Sequence, residues 1–74
     1  MEYSVGILPS DGARLMARLE ELRAEGHWLE IRGEYDDPYG YYTLLIKGTL
    51  ATYHLFLQEC GTTGLVKSLS HDEE

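Results

Sequence analysis

The chain has 74 residues, 43% hydrophobic and 26% charged, with 13 acidic against 6 basic side chains and a formal net charge of −7. That length holds one small domain with a modest core, and the composition excludes a disordered chain. The acidic balance disfavours nucleic-acid phosphate and anionic membrane surfaces and favours a basic partner.

Met1 to Leu8 alternates Tyr3, Val5 and Ile7 against Glu2, Ser4 and Gly6, the pattern of a strand with one covered face. Pro9 ends it, and Ser10 or Asp11 is placed to cap a helix over 11–25 that buries Leu15, Met16, Leu19 and Leu22. Gly26 supplies its stop.

Residues 27–48 read as a β-hairpin. His27, Leu29, Ile31 and Tyr35 share one face of its first strand, and Trp28, Glu30, Arg32 and Glu34 the other. Asp37-Pro38-Tyr39-Gly40 has type I turn chemistry. A four-residue loop on that turn pairs Asp36 with Tyr41, Tyr35 with Tyr42, Ile31 with Ile46 and Glu30 with Lys47. Tyr35 and Tyr42 then belong to the core face, while Trp28, Tyr41, Leu45 and Leu8 project from the other.

Thr49 caps the next segment, LATYHLFLQEC, which Gly61 closes. As a helix it aligns Leu50, Tyr53, Leu57 and Cys60 in one stripe; as a strand it alternates Tyr53, Leu55 and Leu57 with Thr52, His54 and Phe56. Its helix formers and terminal glycine favour the helix. A short strand follows over Gly64–Ser70, so residues 1–70 form one domain and 71–74 a frayed acidic tail. The order is βαββαβ, and the two halves share apolar spacing at an offset of 38 residues, Leu15 falling on Tyr53 and Leu19 on Leu57. The right-handed crossover rule then gives a ferredoxin-like α+β fold: a four-stranded antiparallel sheet with two helices on one face. A strand at 50–59 gives the rival, one helix on a sheet.

Little in the chain points to catalysis. His27, His54, His71 and Cys60 lack ligand spacing, which predicts neither metal nor cofactor. His54 lies six residues before Cys60, which does not bring it alongside, so Cys60 reads as a buried structural cysteine. No Walker-type loop, GxGxxG or Ser-His-Asp arrangement occurs. The loop Pro9-Ser10-Asp11-Gly12 carries aspartate where an acylphosphatase-like site needs arginine. These absences predict a non-enzymatic protein. The lone Cys60 permits no internal disulfide, there is no apolar run of membrane-spanning length, and MEYSVGILPSDG lacks signal-peptide character; together they predict a cytoplasmic protein.

Two resemblances bear on function. Tyr39-Gly40-Tyr41 resembles the third-strand signature of RNA-recognition domains, but Asp37-Pro38 replaces its basic residue and glycine and Leu44 its closing aromatic. Asp11-Gly12-Ala13, the helix to Gly26, Ile31-Arg32-Gly33 and Gly40-Tyr41-Tyr42-Thr43-Leu44 resemble the ACT-like group of ferredoxin-like regulatory domains, NIL-type members in particular. That resemblance implies a small regulatory module, and an amino-acid sensor would use Ser10, Asp11, Gly12 and Ala13.

The residues themselves point to protein binding. Trp28, Tyr39, Tyr41 and Leu45 beside Glu34, Asp36 and Asp37 give aromatic anchors within a charged rim. The expected function is a small acidic regulatory protein that forms a homodimer through its open sheet and binds a larger protein partner. Acid clusters at 34–37 and 71–74 give a variant in which the chain inhibits a nucleic-acid enzyme by occupying its basic groove.

Overall fold

Alternation builds the first strand and periodicity the first helix. In the computed structural model, which describes residues 1–71, β1 (Glu2–Ile7) buries Tyr3, Val5 and Ile7. Pro9–Asp11 form a 3₁₀ turn, and α1 (Gly12–Ala24) buries Leu15, Leu19 and Leu22. Met16, one position off that stripe, stays 43% exposed. Asp11 occupies the N-cap position without capping: the turn sets its ψ to 8°, away from the extended cap conformation, and its carboxylate accepts instead from Arg14 Nη1 at 3.2 Å. At the other end Gly26 takes φ +93°. The Gly26 and His27 amides donate to the Arg23 and Leu22 carbonyls, both at 3.0 Å, which satisfies the helix's last acceptors.

β2 (Leu29–Asp36), β3 (Tyr42–Gly48) and β4 (Val66–His71) complete a sheet of order β2-β3-β1-β4, antiparallel throughout. Together with α1 and α2 (Leu50–Thr62) this is the ferredoxin-like βαββαβ arrangement. His71, assigned above to a frayed tail, pairs with Tyr3 in β4, and its ring meets Tyr53 edge-on at 5.3 Å. Asp72, Glu73 and Glu74 of the acidic cluster lie outside the described residues.

Segment 50–59 is helical, capped by Thr49, whose hydroxyl accepts from the Thr52 amide. Its buried stripe is Thr52, Phe56 and Glu59; Leu50 and Leu57 are 59% and 51% exposed, and Cys60 is exposed. The expected stripe is corrected for a physical reason: this helix is apolar nearly all round, so apolar spacing alone does not choose its inner face. Two polar contacts choose it. Tyr3 Oη and Thr52 Oγ1 lie 2.6 Å apart, and Arg18 Nε donates to Glu59 Oε1 at 2.6 Å across the two helices. The helix also runs through Gly61, stopping at Gly64, which takes φ +69°.

The hairpin register is as expected at one end only. Glu30 pairs with Lys47 and Ile31 with Ile46, but Tyr35 pairs with Thr43 and Asp36 with Tyr42. Two irregularities cause this. The Asp37 amide donates to the Tyr41 carbonyl and Gly40 has φ +89°, so the loop is the three residues Pro38-Tyr39-Gly40, one fewer than expected. A β-bulge then sets Arg32 and Gly33 together against Leu45 and absorbs the difference. Past the bulge the faces exchange: Tyr35 leaves the core face for the open one, and Glu34 and Asp36 move the opposite way.

Candidate functional site

The helices cover the sheet face that carries Tyr3, Val5, Ile7, Leu44 and Ile46. The other face has none over it, and its cross-strand rows follow from the pairing. The row farthest from the hairpin loop is Glu30, Lys47 and Glu2, with acid flanking base. The next holds Gly33, Leu45, Ser4 and Ser70, and the third Tyr35, Thr43, Gly6 and Ser68. Small side chains dominate the last two rows. A Cβ on Gly6 would collide with Ser68 Oγ, so a larger residue there would have to displace that hydroxyl.

The hairpin loop borders these rows. Ser4, Thr43, Ser68 and Ser70 of the sheet, with Tyr35, Asp37, Pro38, Tyr39 and Tyr41 of the hairpin end, line an open depression of about 320 Å³. Thr43 is only 3% exposed although no helix lies above it. Asp37 shapes the loop: its Oδ1 accepts from the Tyr39 and Tyr41 amides, both at 2.9 Å, fixing the turn that aims the tyrosines.

A second, smaller depression of about 190 Å³ lies along the same face, between Leu45, Arg32 and Glu2. Leu45 is 38% exposed there, and Arg32 reaches Glu30 at 3.3 Å. This part of the face balances acid with base, in contrast to the acidic loop end.

On the helix side, Arg14, Arg18, Glu21, Glu59 and Thr63 line a groove of about 480 Å³. Its cations are already committed: Arg18 to Glu59 and Glu21, and Arg14 to Asp11. It is larger than the open-face depression, and Glu59 Oε2 is buried beside it without a hydrogen-bond partner.

Of the residues singled out from sequence, Asp37, Tyr39 and Tyr41 come together in the loop depression and Leu45 in its neighbour. Trp28, 54% exposed, stands just before β2 at the far end of the sheet and lines neither. Glu34 and Asp36 fall on the other face past the bulge, where the Tyr42 hydroxyl donates to Glu34 Oε2. That bond is the main reason the Tyr42 phenol is raised above its ordinary value, followed by burial and the charges of Glu34 and Asp36. Ser10 to Ala13 lie in the 3₁₀ turn and the first turn of α1, apart from all three depressions. Exposed Cys60 replaces the expected buried cysteine; partial desolvation, then the charge of Glu59, raises its thiol.

Sequence reasoning missed Tyr35 and the sheet hydroxyls. Gly33 inside a strand pattern was the available signal for a bulge, and Ser68 and Ser70 alternate in β4 as one face must.

Among the described residues no group of three or more His, Cys, Asp or Glu is placed to hold a metal ion, and no helix is long and apolar enough to cross a membrane. No family model, curated protein or solved structure matches the chain.

Proposed function

We propose that this is a small, non-enzymatic regulatory module of the cytoplasm whose working surface is the uncovered sheet face, divided between two protein contacts. The half around Leu45 pairs with a second copy of the chain, and the loop half receives a larger partner. The observation that carries this reading is Leu45, exposed on an uncovered sheet face among Glu2, Glu30, Arg32 and Lys47. A surface with both signs of charge around an apolar centre complements itself under a twofold axis, which a uniformly acidic surface does not. A small domain also gains buried apolar area by such pairing.

Sedimentation of the wild type and Leu45→Arg tests the homodimer. The expected result is a dimer that the substitution converts to a folded monomer. An unchanged association state in folded Leu45→Arg overturns the Leu45 interface.

A further inference from the structure

We propose that the depression at the hairpin loop is a binding site for a cationic side chain, a lysine ammonium or an arginine guanidinium presented by a basic segment of the larger partner. This rests on the reading of the open face as the working surface, but it assigns a chemistry to the loop half that the fold alone does not.

Three observations converge. First, among the described residues the only charged one lining the depression is Asp37. Both of its hydrogen bonds to the turn fall on Oδ1, which leaves Oδ2 to meet a guest. An anion would find no counter-charge here, and a purely apolar guest would strand the carboxylate. Second, Tyr35, Tyr39 and Tyr41 border the same space, and the aromatic pairs formed elsewhere among the described residues involve none of these rings. Tyrosine faces left free around a carboxylate attract cations through their quadrupoles. Third, the hydroxyls of Ser4, Thr43, Ser68 and Ser70 supply acceptors from the sheet. They solvate the donors of an ammonium or guanidinium that has left water. The volume, about 320 Å³, takes a cationic head with part of its aliphatic stem.

The test is calorimetric titration of the full chain with a short blocked peptide rich in lysine, its arginine counterpart and its glutamate counterpart. Binding of either cationic peptide, and none of the glutamate peptide, is expected; the tighter of the two identifies the head group. Tyr35→Ala and Tyr39→Ala should each weaken binding about threefold, whereas Tyr39→Phe, which retains the ring face, should bind as wild type. Asp37→Asn keeps an acceptor for the turn amides but removes the charge, and should weaken binding about fivefold.

Glu20→Gln/Glu25→Gln removes two charges from the helix side and should change little. Cationic binding that is unaffected by the tyrosine substitutions, or reduced as much by the helix-side pair, overturns the site and leaves general charge attraction. Failure of the homodimer is read separately. Leu45→Asn, which removes the apolar centre of the pairing surface without placing a cation opposite Ser4, should bind peptide as the wild type does, so loss of the dimer and loss of the cation site are independent results.

Discussion

The two faces of the sheet are built from the same strands by opposite means. The helix-covered face packs Tyr3, Val5, Ile7, Leu44 and Ile46 against Leu15, Leu19, Leu22 and Phe56. Its polar groups are few: Tyr3 is tied to Thr52, and Arg18 to Glu59 through Oε1, while Glu59 Oε2 is buried without a partner. The open face carries glycine, serine and threonine in its middle rows, with tyrosines and a carboxylate at one end. One face is filled so that nothing else enters; the other is left low so that something can. On the function proposed above, stability and recognition are separated across a single layer of strands, and substitutions on the two sides should differ in kind.

The largest expected effect lies on the covered face. Leu19 is fully buried in α1, and Leu19→Ala should cost about 3 kcal/mol in urea denaturation, combining lost burial with a cavity. A loss below that of a typical surface substitution would break the contrast between faces.

Tyr3→Phe sharpens it with a smaller effect. Thr52 Oγ1 donates its hydrogen to the Thr49 carbonyl at 2.8 Å, so the Tyr3 hydroxyl is the donor in the Tyr3–Thr52 bond. Losing that bond should cost about 1 kcal/mol. Burial is the main cause that raises the Tyr3 phenol above its ordinary value. The folded state therefore keeps a proton that the unfolded chain releases near pH 10, and stability falls as pH rises from there through the folded value. Tyr42 is raised as well, so the comparison belongs in a Tyr42→Phe background, where adding Tyr3→Phe should flatten the alkaline loss. A loss of the same steepness would remove Tyr3 as its source.

The smallest effect belongs to the open face. Tyr39 is 86% exposed, and Tyr39→Ser should leave the unfolding free energy within about 0.5 kcal/mol of wild type. A greater loss would show that the loop tyrosine supports the fold as well as the depression.

The topology was legible in the sequence because turn residues and apolar periods agreed at β1, α1 and the end of the hairpin away from its loop. Gly26 stops α1 as read, and Ile31 faces Ile46 as read. The inner face of α2 was not legible. Leu50, Tyr53, Leu55, Phe56 and Leu57 surround that helix, and its orientation rests on Thr52 and Glu59, whose partners are 49 and 41 residues away in sequence. The loop depression was half legible. Asp37, Tyr39 and Tyr41 lie in a recognisable turn, but Tyr35 reaches the site only because the bulge exchanges the strand's faces. A short loop and a bulge offset each other, so pairing at Glu30–Lys47 alone gives no sign of either.

The bulge has a further consequence for how the molecule meets its own copies. β2 is an edge strand, and β4, the opposite edge, is also irregular: Lys67 is an extra residue between the Ile7–Val66 and Gly6–Ser68 pairs. A long flat edge is a template on which further chains add strand by strand into fibrils. Here β2 is broken near its middle and β4 at its start, and each bears a cation at the break, Arg32 on one side and Lys67 on the other. Growth by edge addition is hindered at both margins, whereas the pairing proposed above, through the broad face, closes at two copies instead of continuing without limit.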